Sequence, residues 1–230
     1  MRKTIIITGA NGNLGTAVTN YFLSDGYMIV ATVHAEEAKK DLPSHENLQV
    51  EAVDLTNEDA ATAFVQNVIS QHPKVDGALL LVGGFAMGNI EATSINDIRK
   101  QISLNFETAY HVARPLFRHL KQNGQGRIVF IGARPAIDAK AGKNMVAYGL
   151  SKSLLFTLAD YLNAEAKGTN VTATVVVPST IDTAPNRSAM PDANPDAWVK
   201  PEALAAILEF VLSEKASPLR ETVFKVYNNA

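Results

Sequence analysis

Short β-rich runs alternate with helical stretches along the whole chain, and this alternation constrains the fold more than any other feature. Ile5-Ile6-Ile7 reads as a buried strand, followed by a glycine-rich turn and a helix over about 13–24 that Asp25-Gly26 stops. Met28 to Val33, Leu48 to Val53, Ala78 to Val82, Arg127 to Ile131, Val171 to Val177 and Thr222 to Tyr227 read as the strands that follow. Helices are expected over about 57–71, 94–122 and 145–167, the second stopping at Asn123-Gly124 and the third at Gly168. In the third, Leu150, Leu154, Leu158 and Leu162 recur four apart on one face. A last helix opens on Pro201 and turns Leu204, Ile207, Leu208, Val211 and Leu212 toward the core. Apolar strands separated by helices require a parallel sheet covered on both faces, so the expected class is α/β with about seven strands. The wholly apolar run at Ala78 to Val82 belongs at its centre. With 230 residues and no linker or repeat, the chain reads as one domain over 1–230. Pro178 to Lys200 holds four prolines and no periodicity, which marks a substrate loop or lid at about 178–200.

Composition narrows the function. Apolar residues make up 47% and charged residues 19%, against about 25% charged in an average domain, which excludes a disordered polyelectrolyte. Lys and Arg number 21 against 23 Asp and Glu, so nothing attracts nucleic acid or an anionic membrane. With no cysteine there is no thiolate nucleophile and no cysteine-bound zinc, and the five histidines show no ligand spacing, so no metal is assigned. The first residues carry too short an apolar run for a signal peptide, and no stretch approaches the ~18 residues of a membrane span. A cytoplasmic protein with a small-molecule substrate is expected.

Thr8-Gly9-Ala10-Asn11-Gly12-Asn13-Leu14-Gly15 joins the first strand to the first helix. Glycines at 9, 12 and 15 permit a tight turn and a close approach of backbone to a pyrophosphate, which the N–H groups of the helix start would hold. This position within a βαβ unit favours dinucleotide binding over a merely structural turn. The residue that reads the adenosine ribose falls at His34, with Glu36 and Glu37 further on and no arginine. With no carboxylate at 34 to repel a 2′-phosphate, and with Lys39 and Lys40 nearby, the expected cofactor is NAD(P)H with NADPH slightly favoured. Tyr148 and Lys152 stand one helical turn apart at the start of the helix after the fifth strand, a phenol beside an ammonium. A neighbouring cation lowers a phenol's pKa from its usual ~10, which suits general acid–base work.

The glycine-rich turn, Asp54 after the third strand, Asn105 in the long helix and Tyr148-x-x-x-Lys152 together resemble a short-chain dehydrogenase/reductase over the whole chain. The resemblance implies a Rossmann-type doubly wound fold and hydride transfer from a nicotinamide. Tyr148 would donate the proton, Lys152 would hold the ribose and tune Tyr148, and Asn105 would anchor a proton-relay water. Asp54 and Leu55 would flank the adenine, Gly83 and Gly84 would border the cofactor, and Pro178, Ile181 and Thr183 would meet the nicotinamide end. A homodimer or homotetramer through the helices at about 94–122 and 145–167 is expected with it.

One departure is informative. The family places a serine just after the fifth strand, but no Ser or Thr occurs between Thr108 and Ser151, and Ala133 takes that position. Losing one oxyanion-type donor can cost roughly 3–4 kcal/mol of transition-state stabilisation. The dihydropteridine reductase branch shares this absence. Its resemblance runs through Gly83 to Asn89, Gly132 to Asp138 and Pro178 to Trp198. A quinonoid acceptor regains conjugation on reduction, so a single proton donor suffices. Phe85, Met87, Ala133, Met190 and Trp198 are candidate lining for a flat substrate. Two other readings stay open: a general carbonyl or enone reductase of the same family, and a non-enzymatic, nucleotide-responsive interaction protein.

Overall fold

The computed structural model describes residues 2–220 and 223–229. Seven parallel strands form one sheet in the order β3-β2-β1-β4-β5-β6-β7. They are β1 (Thr4–Thr8), β2 (Met28–Val33), β3 (Leu48–Ala52), β4 (Gly77–Leu80), β5 (Gln125–Ile131), β6 (Asn170–Pro178) and β7 (Val223–Val226). The doubly wound, Rossmann-type sheet expected from the sequence is present, with β4 central between β1 and β5. Thr222, the expected start of the last strand, lies outside the described residues.

The central strands are largely apolar because both faces are covered. On β1, Ile6 enters the core with Phe64, Leu116 and Leu155, while Ile5 and Ile7 enter the opposite one with Val18, Phe22 and Leu208. The helices behind these residues are α1 (Asn13–Ser24), α2 (Glu58–Gln71), α3 (Ile95–Ile102), α4 (Thr108–Asn123), α5 (Ala139–Gly142), α6 (Val146–Glu165), α7 (Ala184–Ala189) and α8 (Pro201–Leu212). At about 25 cal/mol per Å² of apolar surface, the hydrophobic burial on these two faces dominates the stability.

Four expectations change. β4 ends at Leu80 rather than Val82, because the Leu81 N–H leaves the ladder and donates to Thr8 Oγ1 at 3.1 Å. The single helix over 94–122 is three pieces: α3, a π-helical turn at Ser103–Glu107, and α4. A π turn adds one residue to the helical repeat, which a 3.6-residue pattern does not register. The stretch 178–200 is not structureless, since α7 starts on Thr183, whose Oγ1 accepts from Asn186 N, and a short 3₁₀ turn forms at Pro195–Ala197. Finally, the leucines of α6 do not share one environment. Each four-residue step drifts by about 40° around a 3.6-residue helix, so Leu162 is buried while Leu154 and Leu150 are 37% and 49% exposed.

Candidate active site

The sheet's strand order reverses between β1 and β4, and the loops leaving the strands' carboxyl ends part there. A cleft of about 270 Å³ opens at this point, lined by Gly9, Asn11, Gly12, His34, Asp54, Leu55 and Gly83. Asn13, Leu14 and Gly15 form the first turn of α1 behind it. A Cβ at Gly15 would stand 2.1 Å from the Gly9 carbonyl oxygen, so glycine is what allows helix and turn to touch. The first turn of α1 carries no acidic residue, which leaves its N-terminal positive end available to an anion.

At the other end of the cleft, Asp54 accepts from the Thr56 N–H at 2.9 Å and the Thr56 hydroxyl at 2.6 Å. These bonds hold its carboxyl below the usual range. Leu55 is buried, and its carbonyl accepts from His111 Nδ1 at 3.0 Å. His34 is exposed at the cleft's margin. Lys39 is paired with Glu36 at 2.8 Å, while Asp41 accepts from the Asn11 amide at 3.3 Å. The glycine turn, the acid-free helix start and the apolar slot around Leu55 together fit a nicotinamide adenine dinucleotide.

The candidate reacting cluster lies beside Gly83. Lys152 is 5% exposed, and its Nζ donates to the Ile131 carbonyl at 2.9 Å; burial pulls its pKa down to about 8. Tyr148 sits one turn earlier on α6, and burial pushes its phenol up to about 12. The sequence reading expects the ammonium to lower the tyrosine. In the fold desolvation outweighs the ammonium, because Lys152 is buried, Tyr148 is half-buried, and the ammonium is turned to a backbone carbonyl. The result is a phenol that stays protonated across the neutral range.

Asn105 is fully buried within the π turn. Its Oδ1 accepts from the Gly84 N–H at 2.9 Å, and its Nδ2 lies 3.0 Å from the Gly84 carbonyl, 2.9 Å from Gln101 Oε1 and 3.1 Å from Ser151 Oγ. Ser151 Oγ donates to the Tyr148 carbonyl at 2.8 Å. The amide expected to anchor a relay water therefore has its N–H groups taken up by protein acceptors, and it clasps the Gly83-Gly84 turn to the start of α6. A Cβ at Gly83 would fall 2.6 Å from Asn105 Oδ1 and 3.0 Å from Lys152 Nζ. Ser151 and Gln101 are the members that sequence reasoning passed over. Gln101 stands four residues before Asn105, a helical-neighbour spacing that was legible.

Around the cluster, the Phe85 ring meets Tyr148 edge-on at 5.3 Å and is 60% exposed. Met87 and Met190 are 67% and 39% exposed, whereas Trp198 is 5% exposed with its carbonyl accepting from Asn228. Ala133 is buried at the head of the Arg134–Ala136 turn, placing a methyl at the serine position. Pro178 ends β6, Ile181 bridges to Val199, and Thr183 caps α7.

The model of the short chain dehydrogenase family matches residues 3–194. The chain belongs to that family, and the class its fold and site define is the NAD(P)-dependent oxidoreductase. Within the family it is similar to the dihydropteridine reductase of Dictyostelium discoideum, at 25% identity over 98% of this chain and 94% of that protein. It is also similar to an acetoacetyl-CoA reductase of Acinetobacter sp. (strain RA3849), at 28% identity over 77% of this chain and 73% of that one. Among solved structures, ElxO with NADP bound superposes with a TM-score of 0.89 at 19% identity, covering 98% of this chain and 97% of that one. A short-chain dehydrogenase/reductase from Mycobacterium ulcerans superposes at 0.88 and 21% identity, covering 99% of this chain and 89% of that one. Among the described residues, no helix is long and apolar enough to cross a membrane.

Proposed function

We propose that this protein is a dihydropteridine-reductase-like enzyme that reduces a quinonoid or otherwise conjugated acceptor at the expense of NAD(P)H. The observation that carries the reading is Ala133, a buried residue just after β5, at the position where the family resemblance expects a serine against the substrate oxygen. A reduced nicotinamide, when bound, supplies the hydride. Tyr148 holds the proton that completes the reduction, and a phenol at about 12 keeps that proton until the acceptor gains charge. Lys152, whose Nζ donates to the Ile131 carbonyl, would hold the ribose of the cofactor. Asn105 and Ser151 hold the Gly83-Gly84 turn and Tyr148 in register. Gly9, Gly12 and the start of α1 take the pyrophosphate, Asp54 and Leu55 the adenine, and Pro178, Ile181 and Thr183 the nicotinamide end. Phe85, with Met87 and Met190, offers the apolar wall for a flat ring.

An unactivated ketone needs its oxygen stabilised as charge develops, and Tyr148 alone meets part of that need. A quinonoid ring delocalises the incoming electrons itself. The relatives that reduce oxoacyl groups support a second reading, a carbonyl reductase with a substitute donor. The deciding experiment follows NADH and NADPH oxidation with quinonoid dihydropterin beside a panel of ketones, enones and quinones. Rapid turnover of dihydropterin and poor turnover of simple ketones is expected, with Ala133→Ser raising ketone activity more than pterin activity. Efficient ketone reduction with no pterin reduction would establish the second reading. For the cofactor, the open His34 position favours NADPH slightly, and His34→Asp should move the preference toward NADH. The exposed leucines of α6, with the helices over 95–123, form the face for a second copy of the chain.

A further inference from the structure

The segment from Pro178 to Lys200 is closed on itself by one carboxylate. Asp182 follows directly on the Ile181–Val199 bridge, and although it belongs to a surface segment its side chain is 6% exposed. Arg187 grips it with a two-pronged contact, Nε to Oδ1 at 2.6 Å and Nη2 to Oδ2 at 2.9 Å. Lys200 donates to Oδ2 at 2.5 Å from the far end of the segment. The cations are themselves half-exposed, at 55% and 49%, so two solvated side chains cover one buried anion. The backbone follows the same closure: Asp182 N–H donates to the Val199 carbonyl at 2.8 Å, and Asn186 Nδ2 to the Ile181 carbonyl at 2.8 Å. Isolated surface ion pairs contribute little, but a fork-shaped contact within a three-member network fixes geometry.

We propose that Asp182 is the positioning residue of the substrate segment: its triad with Arg187 and Lys200 sets Ile181, Thr183 and the α7 helix, which ends beside Met190, in one arrangement for the acceptor. The proposal rests on the reading of 178–200 as the substrate segment. Thr183 is the residue after Asp182 and the cap of α7, so the orientation of that helix is inherited from the carboxylate. Loosening the triad costs binding, not chemistry, because Tyr148 and Lys152 are held from α6 and β5.

Two variants and two readouts test this. Asp182→Asn keeps the side chain's size and removes its charge, and Arg187→Gln removes the fork from the exposed side. The Michaelis constant for quinonoid dihydropterin should rise about tenfold in Asp182→Asn while kcat stays within about threefold, with a smaller rise in Arg187→Gln. In the wild type that constant should also climb between 0.05 and 1 M NaCl, and in Asp182→Asn it should be insensitive to salt. The second readout needs no substrate: trypsin cutting after Arg187 should be about tenfold faster in Asp182→Asn, with the melting temperature within a few degrees of wild type. An unchanged Michaelis constant in both variants together with an unchanged cleavage rate in Asp182→Asn would overturn the proposal, as would a uniform loss of melting temperature, kcat and affinity. If the wild type ignores dihydropterin, the pterin reading fails, and the proteolysis still decides the role of Asp182.

Discussion

On the proposed function, Tyr148 and Lys152 set the chemistry one group at a time. Removing the phenol oxygen deletes little surface, so Tyr148→Phe should lower turnover by several orders of magnitude and leave the cofactor dissociation constant within a few-fold, measured by stopped-flow and by fluorescence titration. Near wild-type turnover would assign the proton to another group. The pH dependence follows from two opposite shifts. Burial raises Tyr148 to about 12, so its proton-bearing form persists through the working range. The same cause lowers Lys152 to about 8, so its charge is present below that pH and lost above it. The kcat/KM profile should therefore fall above about pH 8, two units earlier than an ordinary lysine would impose. In Lys152→Arg, whose guanidinium does not titrate, that limb should vanish even where overall activity is low.

At the scale of elements, the π turn at Ser103–Glu107 is what carries Asn105 to the Gly83-Gly84 backbone. Gly83→Ala would press a methyl to within 2.6 Å of Asn105 Oδ1, and the fully buried amide, bonded to Gly84, Gln101 and Ser151, cannot retreat cheaply. We expect a tenfold or greater loss of cofactor affinity with most of the secondary structure intact by circular dichroism. Asn105→Ala removes the acceptor of the Gly84 N–H and the donor to the Gly84 carbonyl, Gln101 and Ser151, a loss of about 1–3 kcal/mol in urea unfolding. A smaller loss would show that the π turn is held by packing instead. The strands and most helices at this scale were legible in the sequence, because hydrophobic period and turn residues report local geometry directly. The π turn was not, since one inserted residue alters hydrogen bonding without altering the apolar pattern. Nor were the partners of Asn105. Ser151 was visible as a residue beside Lys152, but its contact crosses 46 positions of sequence.

For the molecule as a whole, binding links the cleft to global stability. Cofactor present at a hundred times its dissociation constant should add about 2.7 kcal/mol to the unfolding free energy, read as a rise in melting temperature. Tyr148→Phe should preserve that rise, because it spares the binding groups. The partly exposed α6 face gives a second test: Leu154→Arg should shift the solution mass measured by light scattering toward the monomer, and an unchanged mass would place the interface elsewhere. The sequence alone determined the alternation of strands and helices, the glycine turn after the first strand and the Tyr148–Lys152 spacing, because each depends on residues close together along the chain, while the doubly wound order was what the family resemblance implied. Tertiary structure decided the protonation balance, the clasp around Asn105 and the Asp182 triad. Burial and cross-chain contact set the energy of those groups, and neither quantity exists until strands and helices distant in sequence have packed.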